Sequence, residues 1–116
     1  MKYTEKFQAL ADHAMSQVNS IAPDIVDERI AGGAIALDIR DPDEHLQGHI
    51  PGSLNISRGK LEMIVESKIP DLNTEIICYC NANNRGALSA AALKQMGYLR
   101  ATYISNGLIA YKKLKA

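Results

Sequence analysis

Ile76-Ile77-Cys78-Tyr79-Cys80-Asn81-Ala82-Asn83-Asn84-Arg85-Gly86 carries, within eleven residues, the signals around which the chain is organised. Its first residues form a short apolar run with the character of a strand covered on both faces. It then turns small and polar, and from Ala87 a helical pattern takes over at Ala87, Leu88, Ala90, Ala91, Ala92, Leu93 and Met96. Strand, tight loop and helix put Cys80 at the carboxyl end of a strand and just ahead of a helix N-terminus. Backbone N–H groups and the positive end of a helix dipole converge there. Such a setting favours thiolate over thiol and makes a cysteine nucleophilic. Asn81, Ala82, Asn83 and Asn84 are small or polar, which lets the loop curl with its amides inward, and Asn tolerates left-handed backbone. Arg85 would set a planar cationic fork beside the pocket, suited to an anionic substrate. An ordinary buried cysteine at a strand end fits the same spacing, so at this level both readings stand.

Outward from this stretch, strands and helices alternate. Residues 4–19 place Phe7, Leu10, Ala11, Ala14, Met15 and Val18 on one side, with Gln8, Asp12 and Ser16 facing out, as in an amphipathic helix packed on a domain. Ile21 starts a short edge strand, and Pro23 opens a helix that Gly32-Gly33 ends. Ala34 to Ile39 reads as a buried strand, Asp41 to Gly48 as a capped short helix, and Ser53 to Ile56 as another strand. A helix over 58–66, the central strand and the long helix to Met96 follow. Ala101 to Ile104 then forms a last strand, and Leu108 to Leu114 a terminal helix whose lysines sit near its negative end. The alternation predicts an α/β fold: a mainly parallel central sheet with helices on both faces, in three layers. Residues 1–19 form the N-terminal helix and 20–116 the domain proper.

The chain has 116 residues, 47% of them hydrophobic, which fits one domain with a real core. Its 13 basic and 13 acidic residues cancel, so no bulk charge favours nucleic acid or an anionic membrane. Glu5, Asp12 and His13 interrupt the N-terminal apolar positions, and no apolar run is long enough to span a bilayer, so a cytoplasmic protein is expected. Two cysteines in that compartment are free thiols. Cys78, inside the apolar strand, packs in the core. His45 and His49 lack further ligands at metal-binding spacing, so neither metal nor cofactor is expected. His49 sits in a turn and hydrogen-bonds backbone. Asp38 caps backbone amides, and Arg40 and Glu44 form an ion pair.

The stretch from Asp38 to Ser53, Asp-Ile-Arg-Asp-Pro-Asp-Glu-His-Leu-Gln-Gly-His-Ile-Pro-Gly-Ser, resembles the D-x-R-x-x-x-E-[FY]-x-x-G-H-I-x-G-[AS] segment of rhodanese domains. Ile76 to Arg85 resembles their active-site strand and loop, with its six-residue span from cysteine to arginine. Gly97-Tyr98 and Ser105-Asn106-Gly107 fall where the family's later turns lie. The resemblance implies a single-domain, rhodanese-like thiosulfate sulfurtransferase. Cys80 would take the outer sulfur of a small anionic donor such as thiosulfate and hold it as a persulfide, stabilised by the amides of Asn81, Ala82, Asn83, Asn84 and Arg85. The sulfur would pass to cyanide or a thiol, including a protein thiol. Arg85 and Arg58 would orient the donor, while Asp38, Arg40, Glu44 and His49 support the site. Asn81, Asn83 and Gly86 replace residues usual in the family's loop, His45 replaces an aromatic, and Tyr111 stands in for a tryptophan. Two alternatives accompany this reading: a persulfide carrier or binding module without turnover, and a cysteine-dependent phosphatase or arsenate reductase. The loops of the latter are generally one residue longer.

Overall fold

The computed structural model describes residues 2–116. In chain order the elements are α1 (Glu5–Gln17), β1 (Ser20–Ile21), α2 (Val26–Ala31), β2 (Ile35–Asp38), α3 (Pro42–Gln47), β3 (Leu54–Asn55), α4 (Leu61–Lys68), β4 (Ile76–Tyr79), α5 (Asn84–Gln95), β5 (Ala101–Ile104) and α6 (Gly107–Lys115). Short 3-10 turns at Pro23–Ile25 and Arg58–Lys60 precede α2 and α4. The helix expected from Arg58 thus begins as a 3-10 turn.

The five strands form one parallel sheet in the order β1-β5-β4-β2-β3. β4 is central, pairing Ile76 to Tyr79 with Ile35 to Asp38 on one side and Ile76 to Cys78 with Ala101 to Tyr103 on the other. Every residue of β4 is buried. Side chains alternate across a strand, so Ile76, Cys78 and Cys80 join the core that includes Leu37, Val65, Leu93 and Tyr98. Ile77 and Tyr79 join the opposite core, with Val26, Ala36, Leu108 and Tyr111. Each fully buried Ile or Leu contributes roughly 1.5–3 kcal/mol. The sheet is therefore anchored from both faces around the strand that carries Cys80.

α1 packs against α5 through small residues, with Ala11 and Ala14 buried on one helix and Ala87 and Ala90 on the other. Thr4 caps α1 by accepting the Phe7 N–H at 3.3 Å. The apolar face predicted for α1 is turned in the fold: Leu10 is 62% exposed, whereas Gln8 is half-buried. With Ala11 and Ala14 buried and Gln8 hydrogen-bonded to Asn84 at the start of α5, Leu10 is left on the outer side of α1. Among the described residues, no helix is long and apolar enough to cross a membrane.

Candidate active site

Cys80 follows β4 directly and is nearly buried, at 3% exposure. The Gly86 N–H, in the first turn of α5, donates to its Sγ at 3.3 Å. The path of the loop is fixed from the other side by α6. The Leu108 N–H donates to the Cys80 carbonyl at 2.9 Å and the Ile109 N–H to the Asn81 carbonyl at 3.1 Å. In a trans peptide C=O and N–H point opposite ways. Carbonyls turned toward α6 therefore turn the Asn81 and Ala82 amides away from it. This close approach requires Gly107. Its φ is +50°, and a Cβ there would lie 2.4, 2.5 and 2.8 Å from the carbonyl oxygens of Cys80, Ala82 and Asn81.

The side chains of the loop's three asparagines tie it to three separate elements. Asn81 accepts from Arg40 Nη1 at 3.1 Å and donates to Glu44 Oε2 at 3.3 Å. Asn83 accepts the N–H of Asn106, itself at φ +60°, at 2.8 Å. Asn84 and Gln8 exchange amide hydrogen bonds of 3.0 and 3.2 Å, joining α5 to α1.

Glu44 occupies the centre of the polar network. Arg85 donates to its two carboxylate oxygens at 2.9 and 3.1 Å, and the Asp41 N–H donates to Oε1 at 3.2 Å, which caps α3. The Arg85 hydrogen bonds hold the Glu44 carboxyl down at about 2, far below its ordinary 4.5. The expected Arg40–Glu44 ion pair is not formed. Arg40 instead clamps the buried Asp38 through Nε at 2.9 Å and Nη2 at 2.8 Å, and donates to the Gly48 carbonyl at 2.7 Å. Two residues apart at a strand end, Asp38 and Arg40 face each other, while Glu44, on α3, reaches the Cys80 loop. Burial alone would raise the Asp38 carboxyl, but hydrogen bonds from Arg40 and His45 outweigh it and hold it low. His45 Nδ1 donates to Asp38 at 2.8 Å and stacks on His49, whose own Nδ1 donates to the His45 carbonyl.

Cys80 opens onto a cleft of about 820 Å³ lined by the loop residues Asn81 to Arg85 and by Glu44, Ile109, Tyr3, Phe7, Gln8 and Met15. Arg58 does not join them. Its guanidinium donates to Glu62 Oε1 at 2.8 Å, because the 3-10 turn sets it one helical turn before that carboxylate. Cys78 is fully buried, and burial pushes its thiol far above the usual range, so it stays protonated. Sequence reading did not find Tyr3, Phe7, Gln8, Met15, Gly107 or Ile109 as cleft or loop-shaping residues. Nothing local marks them. They reach the cleft through the packing of α1 and the docking of α6.

The sequence profile of the Rhodanese-like domain family matches residues 22–114. The chain is 32% identical over 70 residues to a thiosulfate sulfurtransferase, PspE, of Escherichia coli, which covers 60% of this chain and 64% of that protein. It is 33% identical over 98 residues to a sulfurtransferase of Allochromatium vinosum, covering 83% of this chain and 90% of that protein. Among solved structures, a Rhodopseudomonas palustris protein of unknown function, described as a possible tyrosine phosphatase, superposes with a TM-score of 0.86. It is 25% identical, over 100% of this chain and 96% of that one.

Proposed function

The chain belongs to the rhodanese-like domain family, and from that membership we propose that it is a sulfurtransferase working through a persulfide on Cys80. The Cys80 thiolate attacks the outer sulfur of a donor such as thiosulfate. A new S–S bond forms as the donor's S–S bond breaks, and sulfite leaves with the bonding pair. The persulfide anion is then held by the Gly86 N–H and the loop amides, as an oxyanion hole holds developing charge. A thiophilic acceptor, cyanide or a thiol, attacks the terminal sulfur and returns Cys80 as thiolate.

The observation that carries this reading is the bracing of the loop. The Cys80 and Asn81 carbonyls are bound by α6, which turns the adjoining amides away from that helix and supports their role as donors to the sulfur. The amides of Asn81, Ala82, Asn83, Asn84 and Arg85 are the proposed substrate-binding set, with Asp38, Arg40, Glu44 and His49 supporting it. The test is intact mass before and after incubation with thiosulfate. One added sulfur atom, removed by cyanide and absent from Cys80→Ser, is expected. If sulfane donors never load Cys80 while an aryl phosphate is hydrolysed, the phosphatase reading replaces this one.

A further inference from the structure

Beyond the loop itself, the apolar side chains that line the cleft come largely from outside the family-matched residues 22–114. α1 and the residues just before it supply Tyr3, Phe7 and Met15, and α6 supplies Ile109. The Tyr3 and Phe7 rings pack together with centroids 5.3 Å apart, tilted by 41°. Tyr3 is 49% and Ile109 52% exposed, so both present apolar surface with little covering it. Among the described residues, the charged side chains lining the cleft are Glu44 and Arg85, and each is hydrogen-bonded to the other. Thiosulfate is a compact dianion with no apolar part. It would find its cationic partner already neutralised, and would leave most of a cleft of about 820 Å³ empty. Clefts of that size and lining, aromatic walls with a few polar anchors at one end, hold organic ligands.

We infer that the preferred donor is an organic sulfane compound, a monoanion in which an aryl or similarly compact apolar group carries the transferable sulfur. Its apolar part rests against Phe7, Tyr3 and Ile109 while its terminal sulfur reaches Cys80. The inference rests on the sulfurtransferase reading for its chemistry. With an aryl thiosulfonate, the Cys80 thiolate attacks the terminal sulfur and a new S–S bond forms. The bond from that sulfur to the sulfonyl group breaks, and the aryl sulfinate leaves with the electron pair. No proton, oxidant or reductant is required.

Two measurements on the full chain test this. The first compares kcat/KM for benzenethiosulfonate and thiosulfate, each normalised to the uncatalysed reaction of that donor with free cysteine. The aryl donor is expected to win by at least about tenfold, and Phe7→Ala or Ile109→Ala to lower that ratio about tenfold, the loss of one contact of roughly 1.4 kcal/mol. Both positions are at least partly exposed, so either variant should fold. The second measures alkylation of Cys80 by N-phenyliodoacetamide against iodoacetamide, which involves no sulfur transfer. The normalised aryl preference should again fall in the same variants. An alkylation preference that is absent, or unchanged by both substitutions, overturns the inference. If that preference is present and is lost in the variants while no donor loads Cys80, the apolar subsite stands and the sulfurtransferase reading fails.

Discussion

The cleft has two walls, and they are built on opposite principles. The wall that carries Cys80 is over-determined: β4 fixes its start, α6 binds its carbonyls, and Asn81, Asn83 and Asn84 anchor it to three neighbours. The wall from α1 is loose by comparison, made of half-exposed rings and a thioether, with the Gln8–Asn84 amide pair as its polar link to the loop. Chemistry needs atoms held within fractions of an ångström, which rigid, fully hydrogen-bonded elements supply. Selectivity among substrates needs shape and apolar area, and these survive small movements. The first wall should therefore respond to substitution through rate and stability, the second through substrate choice.

The largest effect expected is from Cys80→Ser. Sulfur loading should vanish in intact-mass measurements while thermal unfolding stays close to wild type, and residual loading elsewhere on the chain would break the assignment of the chemistry to this wall. Next is Gly107→Ala, which forces a methyl group into three carbonyl oxygens at a left-handed backbone position. A loss of roughly 2–4 kcal/mol is expected, measurable by denaturant unfolding, together with a slower reaction of Cys80. An unaltered midpoint and rate would mean that α6 does not brace the loop.

A smaller change should follow Glu44→Gln, which leaves the Arg85 charge uncompensated. The preference for dianionic thiosulfate over a monoanionic donor should then rise several-fold in kcat/KM. The substitution also tests a pH dependence. The folded Glu44 carboxyl titrates at about 2, below its ordinary 4.5, so its contribution to stability is complete above pH 4.5 and drains away as pH falls toward about 2. Unfolding measured across that window should show a shallower loss in the variant, and equal slopes would contradict the Arg85–Glu44 pairing. The smallest effect belongs to Cys78→Ala. Two residues from Cys80 and on the same face, it should cost about 1 kcal/mol of packing and leave turnover intact. A folded but inactive Cys78→Ala protein would draw the buried thiol into the mechanism.

Much of the fold was legible because its signals are local. The apolar run at Ile76 to Tyr79, the turn to small polar residues and the alanine pattern beyond fix strand, loop and helix in a single stretch. The alternation of elements then leads to a parallel sheet with helices on both faces, as observed. Boundaries slipped where capping and tertiary contact decide them: α1 ends at Gln17, and the segment after Ser57 begins as a 3-10 turn. Partners were less legible than elements. Arg40 and Glu44, four apart around Pro42, suggest a local pair, yet Arg40 turns back to Asp38 and Glu44 reaches across to Arg85.

Periodicity and short-range spacing act within a few residues, so the parallel sheet, the place of Cys80 at the end of a buried strand and the six-residue span to Arg85 are legible in the chain alone. Long-range packing, by contrast, sets the neutralisation of Arg85 by Glu44, the approach of α6 to the loop carbonyls at Gly107, and the sharing of one cleft by Phe7, Tyr3 and Cys80. Those pairings join residues tens of positions apart, and their geometry exists only once α1 and α6 have docked against the sheet.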